Sequence, residues 1–317
     1  MNTRKLTAPY FVLQSLLVLL WWLTLWLHPP ARSFFLPPGG ADVFLLAFGL
    51  PDLVLIVAGG LVAARLCRRE SASSGVALWL VVGALSYATL YCLALSLLTN
   101  SAWISVAMMS VSTFLSAGLA VVHTNPPHAL FRQARRANPI WNLIKTVAQI
   151  TVFWSFFLFV LPALINLVED EIAIPRFHYS GQEAIAATIF GLLSLLGLWG
   201  GVTMSLNGEG TPLPVDGTRR LVVAGPYAYL RNPMAFAGLG QGLMVGLYTG
   251  SAMTMLYVIA GGLIWNYVAR PMEEAELEQK FGASFKLYVA EVKCWWPRLR
   301  PFVINDETEE KISHNVR

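Results

Sequence analysis

Charge is scarce in this sequence: Asp, Glu, Lys and Arg together make up 13% of its 317 residues. A soluble domain carries roughly twice that share, so a water-soluble globular class is excluded. Cysteine is scarcer. Cys67, Cys92 and Cys294 are far apart, odd in number and never in a CxxC pair, which excludes a disulfide framework and a cysteine zinc site. His123 and His128 are separated by Pro126 and Pro127, a poor arrangement for a helical metal pair, so no metal is expected. The net charge of +4 is too small to point to nucleic acid. Alternating strands of about ten residues are missing, which excludes a transmembrane barrel. No internal repeat is present. The first apolar run lacks a small-residue cleavage site, so 10–27 is expected to be a retained helix and not a leader.

What is abundant is apolar: 56% of the residues are hydrophobic and the mean hydropathy is +0.58. Apolar runs of about 17 to 25 residues suit a hydrocarbon layer of about 30 Å. The expected fold class is all-α, a polytopic helical membrane protein with about eight transmembrane helices and a C-terminal cytosolic amphipathic helix. Spans fall at 10–27, 43–64, 76–98, 102–122, 146–167, 182–206, 234–248 and 251–269. The seventh is short, about 22 Å at 1.5 Å per residue.

Trp21, Trp22 and Trp26 read as interfacial anchors, and Glu169, Asp170 and Glu171 as an acidic outer loop. Asp52 is an intramembrane carboxylate, a functional candidate unless it reaches the interface. The pairs and triads Arg4/Lys5, Arg65/Arg68/Arg69, Arg132/Arg135/Arg136 and Arg219/Arg220/Arg231 alternate with loops poor in basic residues. The positive-inside rule then makes both termini cytoplasmic, in a multi-pass integral membrane protein of a bacterial inner membrane. The bilayer is one expected partner, and the arginine patches also meet anionic headgroups. Three regions follow: N-terminal transmembrane helices at 1–206, a core with a helical hairpin at 207–301 and a polar tail at 302–317.

The chemistry concentrates between Asn207 and Pro301. The stretch begins NGEGTPLPVDGTRRLVVAGPYAYLRNPMAFAG, crosses an apolar hairpin and resumes as ARPMEEAELEQKFGASFKLYVAEVKCWWPRLRP. Its charged and turn residues flank the hairpin, so both clusters are expected on one side of the membrane. The order GxG, GPYxYxRxP, hairpin, EExxLxxxFGxxFxxY and PRxxP resembles the integral-membrane methyltransferases related to isoprenylcysteine carboxyl methyltransferase and the phospholipid methyltransferases. The resemblance covers about the last third of the chain. Two positions depart from it: Asn232 stands where the family has His, and Phe236 where a Tyr is common.

The resemblance implies S-adenosylmethionine as cofactor and methyl transfer to an amphiphilic or small hydrophobic acceptor, through a carboxyl, amine or thiol group, at the cytosolic membrane face. It implies a cofactor site made by Gly208, Gly210, Gly225, Pro226, Tyr227, Tyr229, Leu230, Arg231, Asn232, Pro233, Gly238, Glu273 and Glu274. Arg231 and Glu274 would be the catalytic pair, and Arg270 and Phe236 would face the lipid or small hydrophobic acceptor.

Each local pattern also has a plainer reading. Gly208-Glu209-Gly210 suits a helix end and turn. Asn232-Pro233 is an N-cap with proline at the first helical position. Pro271 is expected to open a helix, and acids at 273 and 274 would suit its macrodipole by about 0.3 to 1 kcal/mol. If the pair instead receives the cofactor ammonium, the larger effect is expected at Glu274. Asn232 keeps a hydrogen-bonding group but cannot act as a base. After Arg270, Leu277, Phe281, Phe285, Tyr288 and Val292 recur at helical spacing and predict an amphipathic helix under the membrane, with Trp295 and Trp296 at the interface. Two further readings stay open: an NADPH-dependent reductase of the sterol reductase type, and a transporter or scaffold without catalysis.

Overall fold

The computed structural model describes residues 4–125, 139–208 and 218–303. The described residues are helical, without a strand. Among the described residues, seven helices are long and apolar enough to cross a membrane: α1 Leu6–Leu27, α2 Asp42–Arg68, α3 Ser74–Thr99, α4 Trp103–Thr124, α5 Ile140–Glu171, α6 Gln182–Asn207, and the run Ala252–Glu291. The other expected span is α7, Pro233–Thr249, whose 17 residues leave it short of that length. The run from Ala252 consists of α8, Ala252–Ile264, a π turn at Trp265–Ala269 and α9, Arg270–Glu291.

That continuity corrects one expectation. Pro271 does not open a helix, because Ala269 and Arg270 before it are already helical. A proline inside a helix clashes with the carbonyl four residues back. The wide π turn at 265–269 absorbs the clash, and the π turn at Phe156–Val160 stands in the same relation to Pro162. Glu273 and Glu274 therefore lie within a continuing helix and not at a free N-terminus, which removes most of the macrodipole explanation for them.

The described residues form two compact units. In the first, residues 4–125 with 167–174, α1 to α4 surround Phe11, Ile56, Ala63, Leu78, Val81, Leu85 and Ala120. Polar ties fix their register: Gln14 Nε2 donates to Ser112 Oγ (2.6 Å) and Ser116 Oγ (2.9 Å), and Ser15 Oγ donates to the Val57 carbonyl (3.1 Å). The acids at 169–171 end α5 instead of forming a loop. Glu171 accepts from the backbone N–H groups of Ala102 (2.5 Å) and Ile104 (3.0 Å), satisfying amides at the start of α4.

In the second unit, residues 139–166 with 175–303, α6 packs against α5 and α7 through Gly197, Gly200 and Gly201. A Cβ at Gly197 would lie 2.1 Å from the Trp154 ring, and one at Gly201 2.7 Å from Ile150 Cδ1. The α7–α8 turn needs glycine at 250, where φ is +68° and a Cβ would meet the Phe177 carbonyl oxygen at 2.1 Å. Ser251 then caps α8 by accepting from the Thr254 N–H (2.9 Å). Past the hairpin, α9 breaks at Gly282 (φ +54°, ψ −125°), and its expected apolar face is buried as Phe285, Tyr288 and Val292 with Phe302. Leu277 and Phe281 pack on that cluster.

Candidate functional site

The GPY segment is a short 3₁₀ turn, Gly225–Ala228, leading through Arg231 and Asn232 into α7. Buried backbone groups need partners, and the chain after α9 supplies them. Tyr288 Oη donates to the Tyr227 carbonyl (2.8 Å), the Arg298 N–H to the Tyr229 carbonyl (2.9 Å) and the Phe302 N–H to the Ala228 carbonyl (2.9 Å). The Arg231 N–H in turn donates to the Lys293 carbonyl (3.1 Å). Residues 225–233 and 288–302 thus form one layer, although the α7–α8 hairpin and most of α9 separate them in sequence.

Its charged centre is Arg231. Arg231 Nη1 donates to the Val289 carbonyl (3.3 Å), and Nη2 lies 3.2 Å from Glu274 Oε1. Arg270 Nε approaches the same carboxylate oxygen at 3.8 Å. Two arginines therefore share one carboxylate. The sharing is incomplete, because Arg231 Nε, Arg270 Nε and Glu274 Oε1 are all buried without a hydrogen-bond partner. Such donors fit a carboxylate or phosphate arriving from outside the chain. Glu273 takes part in no hydrogen bond or ion pair among the described residues, yet it is near enough to Tyr227 to influence that phenol. Burial first, then the charges of Tyr288 and Glu273, push the Tyr227 phenol far above its ordinary pKa. It stays protonated and cannot serve as a base near neutral pH.

The remaining expected residues divide. Asn232 precedes Pro233 as the N-cap position but makes no capping bond; its Nδ2 points to Cys294 Sγ (3.4 Å). Pro226, Tyr227, Leu230 and Pro233 are buried within the layer. Gly225 and Gly208 answer to packing. With φ at +57°, Gly225 has no room for a Cβ, which would stand 2.7 Å from Thr203 Oγ1. At Gly208 a Cβ would meet Thr218 Cγ2 at 2.7 Å and Val222 Cγ2 at 2.8 Å, while its carbonyl accepts from the Arg219 N–H (2.6 Å). Gly210 lies outside the described residues. Neither Phe236 nor Gly238 has a hydrogen bond or ion pair to the Arg231 cluster among the described residues; Gly238 faces the Trp154 side.

Sequence reasoning passed over Tyr288, Val289 and Cys294. Tyr288 had entered it only as part of an apolar face, and its hydroxyl role had no local signal. Trp295 was placed at the interface, but its indole donates to Asn266 Oδ1 (2.9 Å) and packs edge-on against Trp265. Trp296 is exposed, as an interfacial ring would be.

Residues 185–284 match the phospholipid methyltransferase family. The matched segment takes in most of α6, the GPY turn, the hairpin and α9 as far as Ser284, with the Arg231, Arg270 and Glu274 cluster inside it. It bears out the resemblance carried by GxG, GPYxYxRxP and the paired acids, and it implies a membrane methyltransferase. The match stops before Tyr288, so residues 288–302, which complete the GPY layer, lie beyond it. No curated protein and no solved structure matches the chain.

Proposed function

We propose that the second unit binds S-adenosylmethionine from the cytosolic side and methylates an amphiphilic or small hydrophobic acceptor. The observation that carries this reading is the incompletely satisfied cluster at Arg231, Arg270 and Glu274, inside the segment that matches the phospholipid methyltransferases. When bound, the cofactor supplies an electrophilic sulfonium methyl.

The chain's own residues then do the positioning. Arg231 and Arg270 each present a buried Nε–H that makes no hydrogen bond among the described residues and suits a carboxylate. Glu274 balances the two cations and holds Arg231 in place. Its pairing moves the ammonium-binding role to Glu273, whose carboxylate is otherwise uncommitted. Tyr288 and the chain to Phe302 keep the GPY turn rigid, and the buried layer excludes water from the transfer. Methyl transfer needs an aligned, desolvated nucleophile more than an acid-base pair, which suits a site with no candidate base at Asn232 or Tyr227.

Calorimetry of the detergent-solubilised protein with S-adenosylmethionine and with NADPH tests the reading. Binding of the first alone is the expected result. Binding of NADPH alone would replace this proposal with the reductase reading, and binding of neither would favour a transporter or scaffold.

A further inference from the structure

The first unit holds a cavity of about 860 Å³ that the methyl-transfer reading does not use. Its lining residues come from α1 to α4, the segment joining α1 to α2, and Ala102 just before α4. Along α1 it extends from Tyr10 to Trp21, about 16 Å at 1.5 Å per residue, so it is elongated. Most of the wall is aliphatic or aromatic, and the volume lies in the range of small-molecule sites.

Some of the polar groups on that wall bond to one another, and others are left incompletely satisfied. Ser96 is fully buried and Gln14 is 6% exposed, yet Ser96 Oγ and Gln14 Oε1 have no hydrogen-bond partner; the Trp21 indole N–H is likewise unpaired. Asp52 also lines the cavity. Its Oδ2 accepts from Trp22 Nε1 (3.0 Å), its one side-chain hydrogen bond among the described residues. An intramembrane carboxylate held by one indole needs a counter-charge or a polar ligand. Aromatic rings stand around the same space: Trp21 edge-on to Phe35 at 5.4 Å, and Phe48 beside Tyr91 at 4.9 Å. Rings near a carboxylate are a setting for an ammonium group. No lysine or arginine lines the cavity, which argues against a phosphate-bearing head.

We propose that this cavity binds a single-chain amphiphile with a protonated amine, its head at Asp52 and its apolar body along α1. The site lies wholly within the first unit and does not depend on the methyl-transfer reading.

The test uses the full-length protein in phosphatidylcholine nanodiscs with two photoreactive probes, a hexadecylamine and the matching hexadecanol, each with a mid-chain diazirine. Peptide mapping should place the amine label on the cavity residues of α1 and α3, and unlabelled hexadecylamine should displace it. Asp52→Asn, which keeps size and can still accept from Trp22, should weaken amine labelling roughly 10-fold or more while leaving the alcohol unchanged. Ser96→Leu fills the cavity without removing the charge and should reduce amine labelling as well. Equal labelling by amine and alcohol in the wild type would overturn the proposal, as would undiminished amine labelling in folded Asp52→Asn protein. Label spread over the exposed Leu80 and Val62, which lie outside the cavity wall, would count against it equally.

Discussion

Replacing Glu273 and Glu274 one at a time with Gln should separate two roles that adjoin in sequence. Glu274 Oε1 stands 3.2 Å from Arg231 Nη2 and 3.8 Å from Arg270 Nε. At an effective dielectric of about 20 these distances give gross attractions of about 5 and 4 kcal/mol. Desolvation offsets most of that, and the Glu274 side chain is 26% exposed. The net cost of Glu274→Gln is then about 1 to 3 kcal/mol of stability, because two cations lose a shared counter-charge. Arg231 keeps its bonds to the carbonyls of Val289 and Lys293, so cofactor affinity should fall by less than tenfold.

Glu273→Gln removes no hydrogen bond or ion pair among the described residues and should leave the fold intact. If Glu273 receives the cofactor ammonium, the lost charge-assisted bond costs about 1.5 to 3 kcal/mol, roughly 10- to 150-fold in affinity. Denaturant unfolding in detergent reads the first effect, and calorimetry with S-adenosylmethionine on folded protein reads the second. Wild-type cofactor affinity in Glu273→Gln would refute the assignment of Glu273. Unchanged stability in Glu274→Gln would refute the shared-carboxylate argument.

Three further outcomes are expected. Tyr288→Phe leaves the buried Tyr227 carbonyl without its donor, and should cost about 1 to 2 kcal/mol and weaken cofactor binding with it, measured by unfolding and calorimetry. Gly250→Ala places a methyl 2.1 Å from the Phe177 carbonyl oxygen at φ +68° and should destabilise the hairpin by about 2 kcal/mol or more, read as loss of folded protein in detergent. A cysteine introduced by Thr218→Cys, in a background lacking the three native cysteines, should resist impermeant thiol reagents added outside intact cells. Labelling from outside would reverse the topology drawn from the basic loops.

The sequence by itself determined the class, because hydrocarbon admits only helices or closed barrels and the apolar runs have helical length. It also singled out the candidate site, since Gly-Pro-Tyr, Arg231 and the paired acids are the concentrated polar residues around a short hairpin. Local spacing predicted the buried face at Phe285, Tyr288 and Val292 for the same reason: a helix repeats every 3.6 residues whatever it packs against. Pro271 misled because proline is a local signal for a helix start, while the π turn that absorbs it is set by the continuing helix.

Only the tertiary structure decided which partners meet. No periodicity connects Tyr288 to the Tyr227 carbonyl or Lys293 to the Arg231 amide, because those contacts join segments brought together by the α7–α8 hairpin. The roles of the adjacent acids diverged for the same cause. Glu273 and Glu274 are equivalent in composition, but a helix turns about 100° between neighbours, so one carboxylate reaches two arginines and the other is left uncommitted.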